Sequence, residues 1–129
     1  SLWIIRSGKM KVTSEGLQIA PQKVGAKQTP FITRNGLSLV GPVSISMVVK
    51  TATSGAIGFS WRNSADKEFA AVNRVNVVVE KSDQWQTIHT SLPGGSKIIH
   101  VRVQVPAGIT SIKSIELKPA TGKTVTLTQ

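Results

Sequence analysis

An all-β fold, a two-sheet antiparallel β-sandwich, is predicted by three features of this sequence. β-Branched residues dominate it and helical periodicity is hard to find. Gly, Pro, Asn and Ser-Gly punctuation recurs at short intervals, as between the strands of a sandwich or barrel. The second half alternates apolar and polar residues strictly, the period of a strand with one face inward. With 129 residues, 40% of them hydrophobic, the chain suffices for one domain, 1–129, with a single core.

The strands follow in order. Leu2 to Arg6 comes first. Met10–Thr13 and Leu17–Ala20 flank Ser14-Glu15-Gly16, a turn with glycine where positive φ is needed. Gln22–Thr29 reads as a polar surface loop, and Phe31–Arg34 ends at the turn signal Asn35-Gly36. Leu37–Val40 stops at Gly41-Pro42. Val43, Ile45, Met47 and Val49 form one face of the next strand, and Ile57, Phe59 and Trp61 one face of its successor. Asn63–Glu68 reads as a polar loop, with room for a single helical turn. Val72–Val79, Trp85–Thr90, Ile99–Val105, Ile112–Leu117 and Val125–Leu127 complete about ten or eleven strands, an ordinary number for two packed sheets.

Charge constrains partners. Sixteen Lys plus Arg against six acidic residues give a net charge of +10, a field that favours anionic partners. The basic residues are dispersed, with no arginine-rich run or basic helix. The absence of cysteine excludes disulfides and thiolate metal sites. No stretch reaches the roughly 18–20 apolar residues of a membrane span. Ser1-Leu-Trp-Ile-Ile5 lacks the basic leader and cleavage site of a signal peptide, and the abrupt start on a strand is expected of a segment from a larger polypeptide.

No catalytic constellation is evident. Asp66 and Glu68 share a loop, but no two carboxylates are placed to face one bond, as glycoside hydrolysis requires. His89 and His100 lack a third zinc ligand. No Gly-x-Ser-x-Gly or phosphate loop occurs, so the chain reads as non-enzymatic, with no cofactor. A structural calcium on Asp66, Glu68 and carbonyl oxygens is conceivable, but nothing has the spacing of a calcium loop.

Binding needs less than catalysis. Sugars are recognised by an aromatic ring flanked by planar hydrogen-bonding groups, and arginine adds bidentate bonds to sulfate or carboxylate. Trp61-Arg62-Asn63, with Asp66 and Lys67 following, has that composition. Trp61 is in phase with Ile57 and Phe59, which places its ring in the core and leaves Arg62 and Asn63 as the contacts. Trp85 is expected in the core as well, and Trp3, Ile4 and Ile5 form either a strand covered on both faces or a domain interface. Arg74, Arg102 and Lys50 each oppose an apolar face, so they can form a basic sheet surface. Single-strand nucleic-acid binders carry several exposed aromatics. With 5% aromatics, most of them phased inward, the chain does not fit that class.

The order Gly41-Pro-Val-Ser-Ile-Ser-Met47, Ser54-Gly-Ala-Ile-Gly-Phe-Ser-Trp61, Val75-Asn-Val-Val-Val79, Trp85-Gln-Thr-Ile-His89, Leu92-Pro93, Ile99-His-Val-Arg102 and Ile112–Leu117 covers about two thirds of the chain. It resembles the C-terminal β-sandwich of bacterial sulfatases and related secreted carbohydrate-active enzymes. The resemblance implies a jelly-roll, galactose-binding-like sandwich acting as an accessory carbohydrate-binding module. It also implies a parent catalytic domain in the same polypeptide and a secreted or periplasmic location. The basic balance departs from the group, and turns the expected ligand toward sulfated or acidic polysaccharide. The sulfatase motif Cys/Ser-x-Pro-x-Arg is absent, so no sulfatase activity carries over. The alternative is a purely structural domain that packs on the catalytic one.

Overall fold

Alternating β-branched residues give each strand one apolar and one polar side, and such sheets are stable when they bury their apolar sides against each other. The computed structural model describes residues 3–23 and 29–128. Its strands are β1 (Ile4–Arg6), β2 (Gly8–Thr13), β3 (Gly16–Pro21), β4 (Phe31–Arg34), β5 (Val43–Thr51), β6 (Gly55–Asn63), β7 (Arg74–Val79), β8 (Gln86–Leu92), β9 (Ile98–Gln104), β10 (Thr110–Lys118) and β11 (Val125–Thr128). They form two sheets. One has the order β1-β4-β9-β6-β7, the other β2-β3-β10-β5-β8 with β11 on β10. All pairings between these strands are antiparallel. From β3 onward the chain crosses repeatedly between the sheets, as a jelly roll does.

Register explains the core. Ile5, Ile32, Val103, Phe59 and Val75 form one row across the five-stranded sheet. Ile32, Val103 and Phe59 in that row are wholly buried. Opposite them, Met47 is in register with Ile115 and Ile88, and Ile45 with Leu117. Each fully buried side chain of this size contributes about 1.5–3 kcal/mol. A bulge between Ile112 and Ser114 sets Lys113 outside, so Ile112 and Ile115, three positions apart, both enter the core. At the β2–β3 turn Gly16 has φ +132°, and a side chain there would strike the Ile112 carbonyl.

Three sequence expectations change and one, the Asn63–Glu68 loop, is sharpened. Leu37–Val40 makes only isolated bridges, Leu39 to Ile98 and Val40 to Thr121, because it is hemmed between the Asn35-Gly36 turn and Gly41-Pro42. Asn63–Glu68 forms a turn without helix, because the Asp66 carboxylate accepts the Asn63 N–H (3.2 Å) and the Asp66 N–H bonds back to the Asn63 carbonyl (3.0 Å). Trp3 and Ile5 pack into this domain's own core, leaving Ile4 exposed. Trp85 precedes β8 and shares the outward phase of Thr87 and His89, so it is half-buried outside the core. Of the expected loop Gln22–Thr29, residues 24–28 lie outside the described residues. Among the described residues no helix is long and apolar enough to cross a membrane.

Candidate functional site

The strand period that turns Ile32, Val103 and Phe59 inward turns their neighbours onto the outer face of the five-stranded sheet. One outward row reads Arg6, Phe31, Gln104, Gly58, Asn76 across β1, β4, β9, β6 and β7. The next reads Ile4, Thr33, Arg102, Ser60, Arg74. A third pairs His100 with Arg62. Four of the five arginines in the chain therefore share one surface. They lie in sequence at positions 6, 62, 74 and 102, which is why no linear cluster announces them.

Arg102 is the hub. Its guanidinium lies over the Phe69 ring, 3.8 Å from the centroid, and 5.4 Å from the centroid of Phe31. Three clefts meet at it. The largest, about 410 Å³, is lined by Arg62, Lys67, Glu68, Phe69 and His100 besides Arg102. A second, about 220 Å³, lies beside Ile4, Arg6, Phe31, Thr33, Asn35 and His100. A third, about 80 Å³, lies beside Phe31, Ser60, Arg74 and Gln104.

The supports of these groups are specific. Arg74 Nε donates to the Asn76 amide oxygen (3.1 Å), and its Nη1 reaches the Ser60 hydroxyl (3.5 Å). Gly58 makes room for that guanidinium: a methyl group there would sit 2.6 Å from Arg74 Cζ. Arg62 Nη1 donates to the Asp66 carbonyl (3.0 Å), which ties it to the turn carrying Lys67 and Phe69. His100 meets Phe69 edge-on with ring centroids 4.7 Å apart, and its Nε2 lies 2.5 Å from the Thr33 hydroxyl. Burial first, then the Arg102 and Arg62 charges, holds the imidazole below its ordinary pKa, so it favours the neutral form.

The face is cationic and unpaired. The only salt bridge among the described residues joins Lys50 to Glu15 on the other sheet, and the arginine clefts hold one carboxylate, Glu68. Among the described residues no group of three or more His, Cys, Asp or Glu could hold a metal ion. The arrangement offers guanidinium edges, ring faces, an imidazole and three amides, groups that bind anions and polar rings.

The residues singled out in the sequence divide accordingly. Arg62, Arg74, Arg102 and Lys67 come together on this face. Asn63 and Asp66 shape the turn beneath it. Trp61 is 5% exposed and in the core, so its ring offers no stacking surface. Lys50 lies on the other sheet and does not join Arg74 and Arg102. Sequence reasoning missed Phe31, Phe69, His100, Arg6 and Gly58. The phase of Phe31 opposite Ile32 was a usable signal; Phe69, in an irregular segment, gave none.

Neither a family model nor a curated protein matches the sequence. Solved structures match its fold. The C-terminal CBM6 of LamC, a marine laminarinase from Zobellia galactanivorans, superposes with a TM-score of 0.60 at 15% identity, over 89% of this chain and 90% of that one. A CBM4 structure gives 0.65 at 8% identity, over 99% and 95%. A family 29 carbohydrate-binding module from Piromyces equi gives 0.61 at 16%, over 87% and 76%. The fold is the jelly-roll sandwich of these modules. At such identities the likeness concerns architecture, and the ligand has to be argued from the side chains above.

Proposed function

We propose that this domain is a non-catalytic carbohydrate-binding module, that its ligand lies across the arginine face, and that this ligand is an anionic glycan bearing sulfate or uronic-acid groups. The observation that carries the reading is the convergence of Arg6, Arg62, Arg74 and Arg102 around Phe31 and Phe69, with no ion pair among the described residues to neutralise them. Guanidinium forks bind sulfate and carboxylate with two parallel hydrogen bonds, and an aromatic ring held beside them accepts the apolar side of a pyranose. The fold supports it: the similar structures are carbohydrate-binding modules, one of family 29 being a complex with cellulohexaose. The resemblance of residues 41–120 to sulfatase accessory domains extends the proposal to a host, a secreted or periplasmic sulfatase or glycoside hydrolase, and the sequence of the complete gene tests that extension.

Affinity electrophoresis through gels containing dextran, dextran sulfate or alginate tests the function. The domain is retarded by a charged polymer and not by dextran, salt weakens the effect as screening requires, and R74A/R102A is retarded markedly less than the parent domain. Equal mobility in all gels overturns the proposal. Tighter binding of a single-stranded oligonucleotide than of any glycan would assign the face to nucleic acid instead.

A further inference from the structure

A cleft of about 710 Å³ lies away from the arginine face. It opens where the β5–β6 turn, the β7–β8 connection and the β9–β10 loop meet, and is lined by Lys50, Thr51, Lys81, Asp83, Ile109 and Ser111 among others. Its frame is tied. Thr51 bridges Lys81, accepts the Ser82 N–H on its carbonyl (3.1 Å) and donates its hydroxyl to the Glu80 carbonyl (3.3 Å). Ile109 supplies an apolar wall that is 46% exposed.

Trp85 stands beside this cleft on the outer face of the six-stranded sheet, joined to it through Lys50. The Lys50 ammonium lies 4.6 Å from the Trp85 ring centroid and also lines the cleft. Lys113, set outward by the β10 bulge, lies 5.9 Å from the same ring. Ser111 is in register with Lys50 and with Gln18, so hydroxyl and amide groups continue the surface. A half-buried indole on a flat polar sheet, with two ammonium groups over it, does not serve the core. Contacts between a cation and a ring at an exposed site are weak enough for a ligand to replace.

We propose that Trp85, Lys50 and Lys113, with the adjoining cleft, form a second saccharide site, independent of the arginine face and on the opposite sheet. Its ligand is a sugar unit carrying an acid group. The apolar side of the pyranose lies on the indole and the acid group meets the ammonium groups, as Glu15 already meets Lys50 at 2.6 Å. Sites on opposite sheets engage separate strands of a polysaccharide, so the domain cross-links them.

Tryptophan emission reads this site directly, because Trp3 and Trp61 are 4% and 5% exposed and Trp85 is the half-buried one. Alginate oligosaccharides and low-mass dextran sulfate are the probes, with dextran as the neutral control. Saturating charged saccharide shifts the emission of both the parent domain and R74A/R102A. Calorimetry gives two sites in the parent domain and one in W85F, whose melting temperature checks its folding. K50A/K113A, which alters only surface side chains, weakens the emission response at least tenfold. Emission that stays constant while the arginine face saturates, or a stoichiometry unchanged by W85F, overturns the proposal. If R74A/R102A binds like the parent domain and W85F loses all binding, the arginine reading fails and this site stands.

Discussion

The guanidinium carbon of Arg102 lies over the Phe69 ring, 3.8 Å from its centroid, although the two residues are 33 positions apart and Phe69 belongs to no strand. The ring contact holds the guanidinium at the junction of the three clefts that Arg102 lines. A lysine cannot reproduce this, because its ammonium is a compact point charge without a planar fork. Arg102→Lys therefore keeps the net charge and loses the geometry. It should weaken binding of dextran sulfate about tenfold, the loss of roughly one charge-assisted hydrogen bond, with little change in melting temperature. Calorimetry and a thermal melt on the same sample check both parts.

His100 makes the domain sensitive to acid. Its pKa is depressed in the folded state by burial and by Arg102 and Arg62, so the unfolded chain takes up the proton more readily. That stability is present above the ordinary imidazole value and is lost as pH falls through the folded value. Melting temperature should decline between about pH 7 and pH 5, the range in which histidine titrates, and His100→Gln should flatten the decline. A bound sulfate group acts oppositely, because an anion beside the ring favours its protonation. Binding of dextran sulfate should accordingly strengthen as pH falls over that range, and this gain should vanish in His100→Gln.

Trp61 separates packing from recognition. With 5% of its surface exposed and its neighbours Ile57 and Phe59 wholly buried, its removal leaves a cavity. Trp61→Ala should cost about 3–5 kcal/mol, the usual penalty for deleting a buried aromatic. Urea denaturation measures that loss. Glycan affinity of the folded fraction should stay near that of the parent domain, since the ring does not reach the outer face.

What the sequence revealed follows from what period two encodes. Alternation placed Val43–Val49, Ile57–Trp61 and Ile99–Val105 in strands with the correct side inward, because burial and strand geometry repeat together. The same alternation put Arg74 and Arg102 on outward phases. It could not show that β6 lies between β7 and β9, which makes Arg74, Ser60 and Arg102 neighbours. Nor could it place Arg6, which reaches the face only because β1 pairs with β4. Trp85 misled for a related reason: an aromatic at a strand start reads as core, and the register with β5 turns it outward beside Lys50.

Gly58 gives the sharpest test of the arginine face, because it alters the surface without removing a charge. The residue is buried in mid-strand, and the Arg74 guanidinium occupies the space its side chain would fill. Arg74 is exposed and ends in a flexible chain, so a methyl group at Gly58 moves the arginine and leaves the backbone in place. Exchanging Gly for Ala within a strand carries no backbone penalty where φ is ordinary, and lowers the entropy of the unfolded chain by a few tenths of a kcal/mol or more. Gly58→Ala should thus melt at or slightly above the temperature of the parent domain and bind charged glycan several-fold more weakly. Gly58→Ala on an Arg74→Ala background should add no further loss, because the group it displaces is already gone. If the two losses instead add, Gly58 acts on binding by some route other than Arg74.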